Sequence, residues 1–473
     1  MENIIISPEA VSAVPAKKAF ENNILPIKVK DGFLTIGISD KNNFKLINDL
    51  SFDTGYKIDA VELAPEIIAG KLKEIYDPAE LKNDRKHEAA RESAVSEHNN
   101  IEFVNQIISG AIKTGASDIH FESYENSSRV RYRIDGHLRE ALNIPKSKSP
   151  AVASRLKIMA DLDISEKRRP QDGRIRFPHN NKTVDIRVST LPTSYGEKIV
   201  LRILDKSNIQ LELSTLGMSA EQFGIIEQNI KLPYGMILVT GPTGSGKTTT
   251  LYAALKHIHS VEKNIMTVED PIEYNLEGIN QSAVRPEIGY DFASALRSFL
   301  RQDPDIVMVG EIRDKETAEI AIRASLTGHL VFSTLHTNDS VSAITRLIDM
   351  GIEPFLVAAS IKMIIAQRLV RKLCSCKIKN GKDYLQNILK TENSYKKNGC
   401  AKCGGTGYKG RTALYEVLKI NEELTELITS GAPLGQIKAK AKEGGFISLR
   451  DIGVEKINSG ITDHEEVLRE TML

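Results

Sequence analysis

Apolar and polar residues alternate in two short runs near the start of the chain. In "LPIKVKDGFLTIGIS", every second residue is apolar on each side of Asp31-Gly32. Alternation with period two predicts strands, and Asp-Gly between two such runs is a strong signal for a hairpin. We therefore predict a small α/β module over residues 1–76. Its alternating apolar residues are Leu25, Ile27, Val29, Leu34, Ile36 and Ile38.

The pattern changes at residue 77, where apolar residues become scarce in "DPAELKNDRKHEAARESAVSEHNN". This composition predicts a solvated linker over residues 77–98 with partial helical character. An apolar helical stripe then ends at Gly115, and the strand-like runs "RVRYRI", "RIRFP" and "VDIRVSTL" follow. Residues 99–208 are thus predicted to form a helix-flanked sheet. The stripe consists of Val104, Ile107, Ile108 and Ala111.

A third region begins near Leu216 and is predicted to extend over residues 209–372. Ser219 and Gln222 have the spacing of a capping box, which predicts the start of a helix, and Met236–Thr240 predicts a short buried strand. Residues 373–473 are predicted to form a cysteine-bearing loop followed by helices. We expect the last helix to begin at a second capping box, Thr462 and Glu465.

The composition is typical of a soluble globular protein of about three domains. The 473 residues are 41% hydrophobic and 26% charged, with a formal net charge of +1. The global charge therefore gives no indication of a nucleic-acid or anionic-membrane partner. Residues 129–187 are an exception, with 15 Lys and Arg against 7 Asp and Glu. This local positive charge predicts an anionic neighbour.

The sequence indicates neither secretion nor a membrane span. The start, "MENIIISPEAV", has too short an apolar run for a signal peptide, and no stretch reaches the roughly 18 apolar residues of a spanning helix. All four cysteines lie between positions 374 and 403, which disfavours a disulfide scaffold. We expect a reducing, cytoplasmic location, with any membrane contact made through a partner.

The stretch "VTGPTGSGKTTTLYAAL" contains a phosphate-binding loop pattern, Gly241-x-x-x-x-Gly246-Lys247-Thr248. Its glycines allow backbone N–H groups to point at phosphate oxygens, Lys247 would reach the β- and γ-phosphates, and Thr248 would ligate magnesium. A predicted strand precedes the loop and a predicted helix follows it, whereas a chance glycine-rich turn would lack this context. The expected nucleotide-binding residues are Gly241, Pro242, Thr243, Gly244, Ser245, Gly246, Lys247, Thr248 and Thr249.

Acidic residues follow two later apolar strands. "IMTVEDPIEY" carries Glu269, Asp270 and Glu273, and "DIVMVGEIRD" carries Glu311 directly after Gly310. Enzymes with a phosphate loop usually have Asp at the position that Gly310 occupies here. An acid at the carboxyl end of a strand beside a phosphate loop is suited to the magnesium site or to orienting water. A lone acid after a strand is more often a turn residue, but the presence of two such strands favours the catalytic interpretation.

Histidines and cysteines provide two further candidates. His329 and His336 flank a third apolar strand. The alternatives for each are a packed, hydrogen-bonded structural role, sensing of the γ-phosphate, or contact with the acid that follows the second strand. The cysteines form a Cys-x-Cys and a Cys-x-x-Cys, and four thiolates can close one tetrahedral zinc site. The alternative is four buried free thiols. The predicted zinc ligands are Cys374, Cys376, Cys400 and Cys403.

Together these motifs resemble the ATPases of type II secretion and type IV pilus assembly, strongly over residues 99–473 and weakly over residues 1–76. The resemblance rests on long strings, including "GASDIHFE", "RVRYRIDGHLRE", "RRPQDGRI", "TVEDPIEY", "LRQDPDIVMVGEIRD", "TGHLVFSTLHTND" and "GYKGRTALYEVL". It implies a RecA-like ATPase domain preceded by a PAS-like α/β domain and a small N-terminal α/β docking module, assembled as a homo-hexamer. It also implies a zinc loop and a helical C-terminal part, although the family's zinc loops carry two Cys-x-x-Cys pairs.

The resemblance also implies roles for individual residues. Glu273 would position water, Glu311 would bind magnesium together with Thr248, and His336 belongs to the family's histidine box. Arg187 and Arg202 match arginines that reach the phosphates, the alternative being a solvated strand face. Further arginines match the ATPase core, although structural ion pairing is an equal alternative for them. These are Arg297, Arg301 and Arg313.

The expected function is that of a cytoplasmic hexameric motor using ATP, magnesium and structural zinc. It would drive assembly of pilin-like subunits at an inner-membrane platform protein, with a cytoplasmic docking protein as a further partner, in pilus extension or type II secretion. Both branches share every motif quoted, so the sequence does not choose between them. A nucleotide-binding scaffold without turnover and a nucleic-acid translocase are the alternatives. The chain lacks the repeated Arg-Leu-Gly pattern of cyclic-dinucleotide binders, and we predict no such ligand.

Overall fold

A computed structural model describes residues 4, 6–41, 43–76, 88–180, 182–204, 212–379 and 388–472. The chain divides into two compact units, Met1–Ile203 and Leu204–Leu473. The predicted linker falls partly outside the described residues, at 77–87, and so does the predicted boundary between residues 208 and 209. None of the described helices combines the length and the hydropathy needed to cross a lipid bilayer.

The first unit begins with a three-stranded sheet whose hairpin confirms the prediction from Asp31-Gly32. Strands β1 and β2 pair antiparallel, with Lys30 opposite Phe33, and both turn residues have a positive φ. Strand β3 adds to β2 in parallel, and helices cover the sheet. The elements are α1 (Pro8–Ala13), α2 (Ala16–Glu21), β1 (Leu25–Lys30), β2 (Phe33–Ile38), α3 (Phe44–Thr54), β3 (Lys57–Glu62) and α4 (Pro65–Ile75).

The rest of the first unit is the predicted helix-flanked sheet, in the order β6-β5-β4-β9-β8-β7. The predicted helical stripe is buried against it, and Gly115 follows the helix with a φ of +70°. The helix begins at Glu88, so the last part of the predicted linker is helical. The elements are α5 (Glu88–Lys113), β4 (Asp118–Ser123), β5 (Ser127–Ile134), β6 (His137–Pro145), α6 (Ser149–Met159), β7 (Gln171–His179), β8 (Lys182–Thr193) and β9 (Gly196–Leu204).

The second unit is built on a seven-stranded sheet in the order β12-β11-β13-β14-β10-β15-β18, in which β15 and β18 pair antiparallel and the other described neighbours pair parallel. Its first half comprises α7 (Ala220–Ile230), β10 (Gly235–Thr240), α8 (Lys247–Ile258), β11 (Ile265–Glu269), β12 (Asn280–Ala283), α9 (Phe292–Phe299), β13 (Ile306–Val309), α10 (Lys315–Leu326) and β14 (Leu330–Leu335). Its second half comprises α11 (Ser340–Asp349), α12 (Pro354–Ser360), β15 (Ile361–Leu373), β16 (Ile378–Lys379), β17 (Tyr395–Lys396), β18 (Tyr408–Lys419), α13 (Glu422–Thr429), α14 (Leu434–Glu443), α15 (Leu449–Asn458) and α16 (His464–Thr471).

Apolar side chains fill both faces of this sheet. Every residue of β10, β13 and β14 is buried, as expected for parallel strands covered by helices on both sides. The carboxyl ends of β10, β11, β13 and β14 therefore meet along one edge. The loops that follow these strands contain the phosphate-loop pattern, the candidate acids and His336.

The two predicted capping boxes have different outcomes. The Ser219–Gln222 box is confirmed at the start of α7. The box at Thr462 and Glu465 is wrong by one residue, because Asp463 caps α16 by accepting from the amide of Glu466 at 3.1 Å. The Thr462 hydroxyl is engaged elsewhere and donates to the carbonyl of Arg371 at 2.9 Å.

Candidate active site

The phosphate-loop pattern forms the connection between β10 and α8. Gly241, Gly244 and Gly246 all have a positive φ, and α8 begins at Lys247 directly after the loop. A Cβ atom added to Gly241 would lie 2.5 Å from the carbonyl oxygen of Gln367, and one on Gly246 would lie 2.8 Å from its Nε2. Glycine is therefore required at both positions by conformation and by space. The predicted strand–loop–helix context is present.

Lys247 lies over the loop that precedes it. Its Nζ donates to the carbonyl oxygens of Gly241 at 2.8 Å and Pro242 at 3.2 Å. Burial lowers the pKa of Lys247, the carboxylate of Glu311 acts in the opposite direction, and Arg368 lowers it further. The ammonium group is thus within the electric field of the predicted magnesium ligand. Thr248 and Thr249 lie half-buried in the first turn of α8.

Gln367 fixes the loop from β15, and our sequence analysis missed it. Its Nε2 donates to the carbonyl of Ser245 at 2.7 Å, and its Oε1 accepts from the Thr250 hydroxyl at 2.7 Å. Arg368 follows it and is also buried, donating to the carbonyls of Gln367 at 3.1 Å and Asn338 at 2.7 Å. The available signal was a polar pair inside the otherwise apolar run "KMIIAQRLV".

Glu311 lies in the loop after β13, where three groups meet. Its Oε2 is 3.2 Å from Nε2 of His336, which follows the neighbouring strand β14, and Oε1 forms an ion pair with Arg313. The side chain of Glu311 is only 13% exposed. Of the roles considered for His336, contact with this acid is the one that the geometry shows. Arg313 is therefore an ion-pair partner of Glu311.

The three acids near the end of β11 differ in accessibility. Glu269 is 4% exposed, and its carboxylate accepts from Thr267 at 2.7 Å, from Gln281 at 3.0 Å and from Tyr252. Asp270 is exposed and Glu273 is half-buried. Glu269 is therefore a structural carboxylate, whereas Glu273 remains accessible for the predicted role of positioning water.

The remaining candidates of the second unit make contacts with neighbouring residues of their own unit. Nδ1 of His329 lies 3.0 Å from the carbonyl oxygen of Ala324, at the end of α10. Arg297 forms an ion pair with Glu316, and Arg301 donates to the carbonyl of Arg297 at 2.9 Å. The observed contacts of Arg297 and Arg301 thus fit the structural alternative better than a contact with nucleotide.

The two arginines expected to reach phosphate lie on the sheet of the first unit. Arg202 is on β9, where its Nε donates to the carboxylate of Asp118 at 3.1 Å. Arg187 is on β8, opposite Arg174 of β7. The phosphate loop lies in the second unit, so contact of Arg187 and Arg202 with phosphate stays a prediction.

The four cysteines come together at one point despite the short first pair. The Sγ–Sγ distances are 3.8 Å for Cys374–Cys400, 3.9 Å for Cys376–Cys403 and 3.7 Å for Cys400–Cys403. Four sulfurs at ~2.3 Å from a tetrahedral zinc ion would be about 3.8 Å apart. The amides of Cys400 and Gly407 also donate to the Cys403 sulfur at 3.1 and 3.2 Å, as suits a thiolate. The donor set and spacing therefore fit zinc.

Comparison with known proteins gives one consistent family. The model described as "Type II/IV secretion system protein" matches residues 93–469, and an MshEN domain model matches residues 2–81. The type IV pilus assembly ATPase PilB of Myxococcus xanthus is 44% identical over 498 residues, covering 100% of this chain and 88% of that protein. The type II secretion system ATPase E of Vibrio cholerae is 51% identical over 378 residues, covering 78% of this chain and 75% of that protein.

Solved structures show the same fold. The pilus retraction motor PilT with bound ADP has a TM-score of 0.53 at 28% identity, covering 77% of this chain and 96% of that one. The ATPase DotB of Legionella pneumophila has a TM-score of 0.59 at 22% identity, covering 77% and 94%. The α/β fold class predicted from the sequence is thus confirmed.

Proposed function

The chain belongs to the type II/IV secretion system protein family, and we propose that it is the ATP-driven motor that moves pilin-like subunits through a membrane platform. It is an ATPase, as the members of this family are. The observation that carries the proposal is the gathering of the phosphate loop, Lys247, Glu311 and His336 at the carboxyl ends of parallel strands. A scaffold that only bound nucleotide would not need acids placed around the loop.

The chemistry that we propose is in-line attack of water on the γ-phosphate. Glu273 would orient the water, and Lys247 would offset the negative charge that develops on the phosphate oxygens. Thr248 and Glu311 would hold magnesium, which when bound supplies positive charge between the phosphates. His336 and Arg313 would fix the Glu311 carboxylate, since both contact it already.

The basic sheet of the first unit would complete the site. Arg187 and Arg202 would bring additional positive charge to the phosphates, as planar guanidinium groups do well. Arg202 donates to the Asp118 carboxylate through Nε at 3.1 Å and its side chain is 60% exposed, so its other guanidinium N–H groups would contact phosphate with this ion pair kept.

Zinc would have a structural role in this motor. The four thiolates would tie β16 and β17 and the start of β18 to the end of β15, beyond the phosphate loop. A closed site of four cysteine ligands leaves no open position for chemistry. The zinc would therefore stabilise the loop rather than take part in turnover.

We further propose that the motor is a homo-hexamer that works in the cytoplasm, bound to the inner membrane through a platform protein and a docking protein. Relatives named for pilus assembly and for type II secretion match at similar identity. The proposed function is therefore the task shared by the two branches, movement of pilin-like subunits.

Two measurements test the proposed function. The purified full-length chain should hydrolyse ATP with magnesium, and Lys247→Ala should abolish this turnover. Cells whose only copy carries Lys247→Ala should then lose either surface pili, seen by electron microscopy, or export of secreted enzymes. Absence of turnover in the wild-type protein under these conditions would favour the scaffold. Stimulation of turnover by DNA or RNA would favour a nucleic-acid translocase.

A further inference from the structure

A buried polar network lies beneath the segment that carries Glu273. Tyr252, on α8, is completely buried, and its hydroxyl donates to Oε2 of Glu269 at the end of β11. Glu269 also accepts from Thr267 and from Nε2 of Gln281. A buried carboxylate is costly unless its oxygens are hydrogen-bonded, and here three donors surround it. The sequence motifs gave no role to Tyr252 or Gln281.

Gln281, on β12, extends this network to the backbone that follows β11. Its Nε2 also lies 3.2 Å from the carbonyl oxygen of Tyr274, and its Oε1 accepts from the amide of Leu276 at 2.6 Å. The segment from Asp270 to Leu276 is therefore held on the side following Glu273. On the side preceding Glu273, it is held by Glu269 itself.

Tyr252 is also linked to Glu273 directly, through a hydrogen bond with its backbone. Burial raises the pKa of the Tyr252 hydroxyl, the Glu269 carboxylate raises it further, and a hydrogen bond with the backbone of Glu273 opposes the rise. The hydroxyl thus stays protonated at physiological pH and remains a donor to Glu269.

We propose that Tyr252 and Glu269 are positioning residues that hold the backbone of Glu273 in register with the phosphate loop. Lys247 and Tyr252 belong to the same helix, five positions apart, which places them ~7.5 Å apart along its axis. The helix that presents Lys247 to phosphate is therefore tied to the segment that presents Glu273 to water. This inference rests on the proposed function, in which Glu273 orients the attacking water.

Tyr252→Phe tests this link, because it removes one hydroxyl and keeps the ring. Tyr274→Phe is a matched control. The two rings pack edge to face with centroids 4.6 Å apart, and the Tyr274 hydroxyl is buried without a hydrogen-bond partner among the described residues. Both substitutions remove the same atom from neighbouring rings, but only the first breaks the network.

In the purified full-length chain, Tyr252→Phe should lower kcat about ten-fold and leave KM for ATP within about two-fold. This is less than the ~10²-fold that a 1 Å misplacement can cost. Amide hydrogen exchange in residues 270–276 should become faster in the same variant. Tyr274→Phe should match the wild type in both measurements. Glu269→Gln, which removes the acceptor charge at similar volume, should reproduce the effects of Tyr252→Phe.

Two results would overturn the inference. One is unchanged kcat and unchanged exchange of residues 270–276 in Tyr252→Phe and in Glu269→Gln. The other is an equal loss of kcat in Tyr252→Phe and Tyr274→Phe, which would indicate general packing. Because wild-type turnover is measured first, failure of the proposed function is seen before either variant is compared.

Discussion

The hydrogen bond between Gln367 and Thr250 should contribute measurably to the stability of the second unit. Gln367→Leu keeps the approximate size of the side chain and removes its contact with the loop, at 2.7 Å to the Ser245 carbonyl, and its contact with α8, at 2.7 Å to the Thr250 hydroxyl. Each polar group left unpaired in the interior costs about 1–3 kcal/mol. The Thr250 hydroxyl keeps a longer contact of 3.3 Å to Tyr415, so we expect the lower part of that range for it.

The expected total for Gln367→Leu is therefore ~3 kcal/mol in the free energy of unfolding. For a unit of this size, 1 kcal/mol corresponds to about 2–4 °C in Tm, which gives a decrease of about 6–12 °C. The assay is thermal unfolding of the full-length chain with and without ATP and magnesium, because the transition that nucleotide raises belongs to the second unit.

A double-mutant cycle isolates the pair. Thr250→Val removes the hydroxyl and should cost ~1–2 kcal/mol, since it leaves Oε1 of Gln367 unpaired. The double variant should cost less than the sum of the two single variants, by ~1 kcal/mol, because both partners are then apolar. Strictly additive losses would refute the reasoning, since they would mean that the hydrogen bond between Gln367 and Thr250 does not contribute to stability.

Two further predictions concern the chemistry and the metal. Glu311→Gln should retain nucleotide binding and lose turnover, because the magnesium site loses its charge while the side-chain volume is kept; turnover at the wild-type rate would show that Glu311 has been assigned wrongly. Elemental analysis of the purified chain should find one zinc per chain, and Cys403→Ser should lower both this content and the protection of residues 395–410 from proteolysis. A chain purified without chelators that contains no zinc would contradict the proposed site of four cysteine ligands.

Local motifs were the predictable part of this molecule. Asp31-Gly32 specifies its hairpin through positive φ at both turn residues. The phosphate loop is specified by Gly241 and Gly246, which combine positive φ with too little space for a side chain. These features depend on residues close together in sequence. The strands before and after them follow from short apolar runs, which single-sequence patterns describe well.

The contacts of Gln367 were not predictable from the sequence. Gln367 and Ser245 are 122 positions apart, and their hydrogen bond exists only because β15 pairs with β10. The N-cap residue of α16 was also not predictable from the local pattern. Thr462/Glu465 and Asp463/Glu466 both fit the spacing of a capping box, and tertiary contacts decide between them. The Thr462 hydroxyl and the Glu466 carboxylate both bond to Arg371 on β15, which sets the start of the helix at His464.

The strand order explains why Glu311 and Glu273 are held in place by different residues. Strand β13 is next to β14, so Glu311 is reached by His336 from the neighbouring strand and by Arg313 from its own loop. Strand β11 lies on the far side of β13 from β10, three positions from the strand that leads into the phosphate loop. Strand β11 pairs with β12 and β13, and neither of them is adjacent to β10. The helix after the phosphate loop makes the connection, because Tyr252 of α8 donates to Glu269 at the end of β11, and this is why we place the positioning of Glu273 in that pair.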